Sequence, residues 1–482
     1  MDSASALALW LNRFPLSPLN AREPLLYTTM NLHPTRRSLL QSTACGFGGL
    51  AMSSFADQTP IQAPRAKRVI FLFMQGGPSQ VDTYDYKPEL IKAHDQTVDF
   101  HVPRSREIEQ RTVMKPLWDF QQHGECGRWS SSLFPEVAKH VDDLCFIHSM
   151  HTEGVAHGPA TLFLHTGATN LVRPSMGAWV SYGLGAENAN LPAFVCVNPP
   201  ANKGGPRNYG NAFLPAFHQG TVLGQPGNPN ARPEIKNLKS PLGDDAVLRE
   251  HQFLKELNRA QSRGTTDTVL DGVIHSHELA WRMQSQAADL IDIENSTRET
   301  REIYGIGDEA TDGFGRQCLA ARQLAESGVR FIQINHCDNS STPVWDQHSN
   351  MPKHETLAGQ VDKPIAGLLA DLKRRGLLED TLVWWGAEFG RTPFSQANQG
   401  RDHNPRGFTT WLAGGGVKPG FAYGATDEFG FQAVENKVHM HDLHATILDL
   451  MGLDHEKLTY NYAGRDFRLT DVHGRVVREI MA

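Results

Sequence analysis

The sequence predicts an α/β fold with a mostly parallel central sheet, and three observations carry that prediction. Short apolar runs alternate along the chain with segments of helical periodicity, as in a sheet whose strands are joined by helices. The runs are apolar at almost every position, which is typical of strands buried on both faces. Several of them end abruptly in glycine and in acidic or histidine side chains, at the edge where open α/β sheets place ligands.

The predicted elements follow in alternating order. Strands are predicted at 67–74, 144–149, 193–198, 329–335, from Thr381 onward, and 408–413. Helices are predicted at 160–165, 176–184, 313–327, 355–375 and 442–450. Residues 203–243 are rich in Gly, Pro and Asn, which predicts a long surface excursion near the active edge, and 246–304 reads as a helical insertion.

The first 56 residues are predicted to be an N-terminal extension and a signal peptide, followed by one domain over residues 57–482. Arg36 and Arg37 precede a weakly apolar stretch without acidic residues that ends in the small-x-small pattern Ser54-Phe-Ala56. Met30 is an alternative start of translation. The pattern predicts export by the twin-arginine machinery to the periplasm or the medium, and a disordered basic tail is the alternative interpretation.

Charge and hydropathy argue against a nucleic-acid partner and against a membrane span. The net charge is -7 and the lysines and arginines are scattered, so we expect no nucleic-acid partner. After Ala56 no apolar run approaches the roughly 20 residues that span a bilayer, so we expect no stable membrane span in the mature chain.

Four side chains that follow strand ends form the predicted metal site. Glu388 follows the run from Leu382 to Trp385, and the other three lie on loops after strands or before them: Asp346, His348 and His403. Carboxylate and imidazole together suit zinc, iron or manganese better than magnesium. The predicted cofactor is a divalent metal, zinc or manganese in preference to calcium. A salt bridge between Glu388 and Arg391, and a turn capped by Asp346, are the alternatives.

A glycine-rich loop after the first strand is the predicted substrate-binding segment. Glycines there let backbone amides approach an anion, and nearby polar groups complete the predicted set: Gly76, Gly77, Ser79, Asp82 and Arg391. Two further histidine groups remain open at this stage, because any single histidine is more often a surface or core residue. They are His148, His151, His157 and His165, and His439, His441 and His444.

The same residues carry a resemblance to known proteins. The order of a strand with a loop, a helix ending Leu-x-Thr-Gly, a late strand ending acid-x-Gly and an Asp-His loop resembles the alkaline phosphatase and sulfatase superfamily. More closely, the paired arginines with Gly-Gly-Pro-Ser-x-x-Asp-Thr, Trp-Asp-x-His, Glu-Phe-Gly-Arg-Thr-Pro and Gly-Arg-Asp-His resemble the exported bacterial family known as domain of unknown function 1501. The resemblance covers most of residues 67–470. It implies a three-layer alkaline-phosphatase-like sandwich, with helices on both faces of the sheet.

The chain departs from that superfamily at the reacting position. His157 stands where sulfatases carry the cysteine or serine that becomes formylglycine, and Thr161 stands where they carry an arginine. These departures argue against a formylglycine sulfatase mechanism. Gln75 or Gly76 stands in place of a metal-binding aspartate, and Phe389 in place of a histidine, so one of two metal positions is expected to be altered.

Three functional interpretations follow, and a small-molecule or glycan ester of phosphate or sulfate is the expected substrate in the first two. In the first, metal-activated water attacks the ester, with Glu388 as a further ligand or general base. In the second, His157 is a nucleophile that forms a transient phosphohistidine. In the third, the site is degenerate and the protein is an exported binding or scaffold module.

Overall fold

A mostly parallel sheet of nine strands lies at the centre of the part of the chain that the computed structural model describes. The described residues are 63–101, 108–228, 230–234, 243–261, 268–286, 291, 293–338, 340–397 and 399–482, and they belong to the unit Gln58–Ala482. The predicted signal peptide lies outside them. No helix among these residues is long and apolar enough to cross a membrane.

The nine strands run in the order β8-β2-β7-β6-β1-β5-β3-β4, with β9 beside β2. Their bounds are β1 Arg68–Met74, β2 Leu144–His151, β3 Phe194–Val197, β4 Thr221–Leu223, β5 Phe331–His336, β6 Thr381–Gly386, β7 Phe408–Ala413, β8 Phe421–Tyr423 and β9 Val438–His439. Only β7 runs antiparallel to its neighbours in this sheet. The predicted mostly parallel α/β sheet is therefore confirmed.

Helices and small hairpins surround the sheet. The α-helices are α1 Gln80–Thr83, α2 Pro88–Lys92, α3 His157–Thr166, α4 Met176–Leu184, α5 Asp244–Gln261, α6 Thr268–Gln286, α7 Arg298–Ile303, α8 Asp312–Glu326, α9 Lys353–Arg374 and α10 Met440–Leu450. Short 3-10 helices lie at Val137–Asp143, Gly205–Tyr209, Ala216–His218, Leu378–Asp380 and Arg478–Ile480. Two-stranded hairpins pair Thr97–His101 with Ile108–Thr112, Phe120–His123 with Arg128–Ser131, Gly390–Arg391 with His403–Asn404, Ala425–Thr426 with Ala433–Glu435, and Tyr460–Tyr462 with Arg465–Phe467.

Strand β1 shows why the fold has three layers. Its side chains alternate between the two faces of the sheet, as the pleat of a strand requires. Ile70 and Leu72 pack in the core that α8 and α9 cover, whereas Phe71 and Phe73 pack in the core that α3, α4 and α10 cover. Because both faces are covered, every residue of β1 is buried. The expected three-layer arrangement, with helices on both faces, is confirmed.

The sequence prediction omits three short strands of the sheet, β4, β8 and β9. Strand β4, of three residues, lies inside the excursion at residues 203–243 and extends the edge of the sheet by pairing with β3. An edge strand this short, set among glycine, proline and asparagine, has no apolar run to reveal it. The predicted insertion at 246–304 contains three helices, α5, α6 and α7, in its described residues.

Candidate metal centre

The carboxyl ends of four strands lie at one edge of the sheet. Strands β1, β5 and β6 are mutually parallel, and β2 points the same way because the antiparallel β7 separates it from β6. The loop after β5 carries Asp346 and His348, the turn after β6 carries Glu388, and α3, which follows β2, begins at His157. The fold thus brings His157 and Glu388, which are 231 residues apart in sequence, within hydrogen-bond distance of each other.

A two-stranded hairpin brings in the fourth segment. Gly390–Arg391 pairs antiparallel with His403–Asn404, and Arg391 lies opposite His403. The loop between them is held by Arg401, a fully buried side chain whose Nε lies 2.7 Å from Asp82 Oδ2. Backbone pairing and this buried ion pair together fix the position of His403.

Four side chains converge at this edge into what we call the His/Asp cluster: His157, Asp346, His348 and His403. Each offers one ligand atom, and these atoms lie within 4.8 Å of one another. Asp346 Oδ1 lies 2.9 Å from His348 Nε2 and 3.2 Å from His403 Nε2, and the two Nε2 atoms are 3.0 Å apart. A zinc ion with bonds of about 2.0–2.2 Å has tetrahedral ligand atoms roughly 3.3 Å apart, so the spacing fits a small cation.

The outer nitrogen of each histidine in the cluster meets an oxygen acceptor. Nδ1 of His157 lies 2.6 Å from Glu388 Oε1, and Nδ1 of His348 lies 2.6 Å from Gln396 Oε1. Nδ1 of His403 lies 3.0 Å from the carbonyl oxygen of Val155. Because a carbonyl oxygen only accepts, the Nδ1 of His403 must donate, and the other two rings match this pattern. This is the tautomer that frees Nε2 as a ligand, and metal-bound histidines are oriented by such partners.

Glu388 contacts the His/Asp cluster through His157 but is not one of its four members. Its carboxylate is fully buried, contacts Nδ1 of His157, and accepts the amide of Gly76 at 3.0 and 3.1 Å on its two oxygens. The structure therefore places His157, and not Glu388, beside the three other predicted ligands. Both Glu388 oxygens are engaged away from solvent, which does not support the predicted role as a general base.

The Asp346 carboxylate carries the negative charge of the cluster. Burial alone would raise its pKa, but its close contacts with His157, His348 and His403, together with the Arg391 guanidinium, hold the pKa well below its ordinary value. Burial lowers the pKa of His403, which favours its neutral, metal-binding form, whereas contact with the Asp346 carboxylate raises the pKa of His348 and, against the effect of burial, that of His157. A cation bound there displaces protons from these two rings. An ionised carboxylate among imidazole nitrogens is a donor set suited to zinc or manganese, whereas calcium takes six to eight oxygen ligands.

One polar atom of the cluster lacks a hydrogen bond. Nε2 of His157 is buried and lies 3.0 Å from Asp346 Oδ2, yet no described residue gives it a hydrogen bond of acceptable geometry. A buried nitrogen with an unused lone pair is costly unless something else occupies it. Coordination to a cation would satisfy this atom, so the residues present fit a metal ion.

The cluster opens to solvent on one side. The side chain of His348 is 36% exposed and that of His403 is 14% exposed, whereas those of Asp346 and His157 are 8% and 7% exposed. Asp402, next to His403, is about half exposed and its Oδ1 lies 3.7 Å from Nδ1 of His348. A ligand from solvent would therefore approach from the His348 side.

The predicted substrate-binding residues are engaged within the protein. Ser79 and Asp82 are fully buried and bond to each other, and Asp82 also pairs with Arg401. Arg391 is fully buried, with its guanidinium bonded to Asp346 and to backbone carbonyl oxygens. This burial does not support the prediction that these three side chains contact substrate.

The two glycines of the same predicted set serve close packing. Gly76 has a φ of +112°, and a Cβ there would lie 2.8 Å from the amide nitrogen of Asp346. Gly77 has a φ of +79°, and a Cβ there would lie 2.7 Å from the carbonyl oxygen of Phe389. The anion that the Gly76 amide approaches is the internal carboxylate of Glu388, so the structure does not support substrate binding by this loop either.

Of the open histidine groups, only His157 reaches the cluster. His148 bonds through Nδ1 to the hydroxyl of Thr409, and the ring of His151 packs against that of His439. The remaining members pack in or near the core around α3 and α10: His165, His441 and His444.

Sequence reasoning missed two partners of the cluster. Gln396 orients His348 through its side chain, and Val155 orients His403 through its backbone carbonyl oxygen. Neither position carries a motif, because a backbone carbonyl is present at every residue and an isolated loop glutamine is common. The bond between Arg391 and Asp346 is likewise not anticipated, since the sequence predicts substrate contact for Arg391 and offers a salt bridge with Glu388 as the alternative.

Fold and site together define an α/β protein with a candidate His/Asp metal centre at the carboxyl edge of its sheet. The chain belongs to the family described as "Protein of unknown function (DUF1501)", whose model matches residues 66–481. The predicted family is thus confirmed. A search of curated proteins finds no match.

Solved structures give distant similarities. The phosphonate monoester hydrolase SpPMH from Silicibacter pomeroyi is 12% identical, with a TM-score of 0.35 over 72% of this chain and 71% of that one. The alkaline phosphatase from the Antarctic bacterium TAB5 is 12% identical, with a TM-score of 0.34 over 81% of this chain and 99% of that one. The PsFucS1 sulfatase from Pseudoalteromonas sp. is 12% identical, with a TM-score of 0.33 over 86% and 72%. At this level of similarity, function has to be argued from the site.

Proposed function

We propose that this protein is a metal-dependent hydrolase of phosphate or sulfate esters. The observation that carries the proposal is the shared orientation of three histidines, each with Nδ1 on an oxygen acceptor and Nε2 beside Asp346. The motif resemblance to the alkaline phosphatase and sulfatase superfamily supports the ester as the substrate class. A small-molecule or glycan ester remains the proposed substrate.

Each residue of the centre has a separate task in this proposal. Asp346 supplies an anionic donor, and His157, His348 and His403 supply neutral imidazole donors for zinc or manganese. Glu388 holds the Nδ1 proton of His157 and so keeps its Nε2 directed at the ion. When bound, a divalent cation lowers the pKa of a coordinated water and polarises an ester oxygen.

The geometry favours a ligand role for His157 over the predicted nucleophile role. A histidine nucleophile needs a ring nitrogen that faces the substrate, whereas Nδ1 of His157 contacts Glu388 and Nε2 faces Asp346. Its side chain is also among the least exposed of the cluster. We therefore propose direct attack by water, without a formylglycine or a phosphohistidine.

One observation favours a second candidate function, that of an exported binding or scaffold module. Four protein ligands complete a tetrahedral zinc shell, and structural zinc sites are closed in this way, whereas catalytic ones keep an open position. The exposed side of His348 argues for access to the ion. The hydrolase therefore remains the leading proposal.

Elemental analysis and turnover assays separate these functions. The purified protein is analysed for zinc and manganese and is assayed with phosphate and sulfate monoesters and diesters, before and after chelation. Bound metal with turnover that chelation abolishes is the result expected of the hydrolase. Bound metal without turnover on any ester supports the binding module, and a protein that binds neither metal contradicts the hydrolase and fits a module whose site is degenerate.

We also propose export through the twin-arginine pathway, which the sequence pattern around Arg36 and Arg37 supports. Replacing both residues with lysine is expected to retain the precursor inside the cell. Fractionation of expressing cells checks this, with the unaltered chain as the control. Equal export of the two chains would refute the proposed route.

A further inference from the structure

Asp346 is shared between the His/Asp cluster and a buried guanidinium. Its Oδ1 lies 2.9 Å from His348 Nε2 and 3.2 Å from His403 Nε2. The same oxygen lies 2.8 Å from Nη2 of Arg391, which is fully buried. One carboxylate oxygen thus faces the proposed metal position and a fixed positive charge at the same time.

Backbone oxygens surround the rest of the Arg391 guanidinium. Nε donates to the carbonyl oxygen of Gly77 at 2.9 Å, Nη2 donates to that of Gly76, and Nη1 donates to that of Arg401 at 3.3 Å. Together with Asp346 Oδ1, four oxygen atoms therefore converge on one cation. A set of carbonyl and carboxylate oxygens is also what a hard divalent cation selects, and here arginine, which stays charged in proteins, fills it.

The backbone of Arg391 is fixed as firmly as its side chain. Its amide donates to Gln80 Oε1 at 2.8 Å, and its carbonyl oxygen accepts from Gln80 Nε2 at 2.7 Å. Arg391 also pairs with His403 in the short hairpin. These hydrogen bonds hold the backbone of Arg391 beside the strand that carries His403. They therefore keep the guanidinium within reach of its four oxygen acceptors.

We propose that Arg391 is a permanent second cation of this centre, so that each chain binds one divalent metal ion and not two. This inference rests on the metal site proposed above. With Arg391 in place, a divalent ion and the guanidinium together balance the charges of three nearby carboxylates, Asp346, Glu388 and Asp402. Without the guanidinium, the same ion would leave the centre with a net negative charge.

Metal stoichiometry of the unaltered protein is the first test. The chain is saturated with zinc, and separately with manganese, dialysed, and analysed for metal per chain. One ion per chain is expected. Two ions per chain overturn the inference while leaving the proposed hydrolase standing, whereas no ion removes the metal site itself.

The second test uses the direction in which zinc affinity changes. In Arg391→Met the repulsion between the guanidinium and the ion is gone, so competition with a chelator is expected to show zinc binding tightened at least about tenfold. Arg391→Lys keeps the charge and is expected to stay within about threefold of the unaltered chain. Weakened binding in a folded Arg391→Met variant would mean that Arg391 only positions Asp346, and would overturn the inference.

Arg401→Met is the matched control. Arg401 is equally buried, but it pairs with Asp82, which lies outside the His/Asp cluster. This variant is expected to lower stability without tightening zinc binding. Circular dichroism reports which variants fold, and if neither methionine variant folds, the stoichiometry of the unaltered chain decides.

Discussion

Two groups of histidines in this protein have opposite surroundings. The His/Asp cluster holds three histidines around Asp346, each with its outer nitrogen on an oxygen acceptor. The second group, which we call the core histidines, consists of His165 on α3 and His441 and His444 on α10. Among them, the ring of His165 packs edge-on against that of Phe73, with 4.8 Å between the ring centroids.

The core histidines lack the carboxylate that the cluster has. His444 donates from Nε2 to the carbonyl oxygen of Leu164, but Nε2 of His165, Nδ1 of His441 and Nδ1 of His444 find no hydrogen-bond partner among the described residues. Burial lowers the pKa of His165 to about 3, of His441 to about 2 and of His444 to about 4. Histidine density alone therefore does not make a metal site. The proposed metal site differs from the core histidines by its central carboxylate and by an acceptor behind each ring.

The largest expected effect that separates the two groups is the pH dependence of stability. The core histidines are neutral in the folded chain and bind protons on unfolding, because their folded pKa values lie below the ordinary value of about 6.5. Their stabilisation is complete above about pH 6.5, and the free energy of unfolding falls as pH decreases toward 4. Three such groups give a slope of about 4 kcal/mol per pH unit in that window.

Replacing one core histidine tests this slope. His165→Phe fits a ring environment that already contains Phe71 and Phe73. The slope of unfolding free energy against pH is expected to fall by about 1.4 kcal/mol per pH unit, as measured by urea denaturation between pH 4 and 6.5. Identical slopes for the two chains would show that His165 is not a buried neutral group.

Zinc affinity is expected to depend on the histidines of the His/Asp cluster and not on the core histidines. His403→Ala removes one donor of the His/Asp cluster and leaves Asp346 with one imidazole fewer, so zinc affinity is expected to fall at least about a hundredfold. His165→Phe is the matched control and should bind zinc as the unaltered chain does. Retention of a full equivalent of zinc by His403→Ala after dialysis would remove this residue from the site.

The contrast also shows what the sequence is able to predict. Asp346, His348 and His403 can be identified because each belongs to a short polar motif next to an apolar strand, and strand ends of a parallel sheet share an edge. The sheet and its two helical faces follow from the same alternation of apolar runs. His157 stands out only through its motif position, and its role as a neighbour of Asp346 depends on where α3 begins.

The contacts of Glu388 and Arg391 and the formation of β4 depend on residues distant in sequence, so no local sequence pattern predicts them. Glu388 ends a strand, as a ligand would, but its distance from His157 decides that it supports a ligand. The sequence suggests Glu388 as the acidic partner of Arg391, whereas the hairpin with His403 places the guanidinium beside Asp346. Strand β4 forms because β3 offers it an edge, in a segment whose composition predicts a loop.

Glu388, which contacts the outer nitrogen of His157, is expected to have a smaller effect on zinc affinity than a ligand histidine has. Glu388→Gln keeps an oxygen acceptor for His157 but removes its charge, so zinc affinity is expected to fall about 10- to 100-fold. Asp371→Asn is the control, because Asp371 is also a fully buried carboxylate but pairs with Arg374 and Arg375 and not with a ligand histidine. It should lower stability and leave zinc affinity unchanged, as chelator competition will show. Equal zinc affinities in the Glu388→Gln and unaltered chains would contradict a supporting role for Glu388.

Gln396 provides the smallest and most selective test, because its side chain meets the cluster only through His348. Its Oε1 lies 2.6 Å from Nδ1 of His348, the most exposed of the three ligand histidines. Water can replace a lost acceptor at an exposed ring, so Gln396→Ala is expected to weaken zinc binding by up to about tenfold. Gln399→Ala, at an exposed position of the same loop, is the control and should change nothing. A loss for Gln396→Ala as large as that for Glu388→Gln would mean that solvent does not reach His348, and the proposed open side of the centre would then be closed.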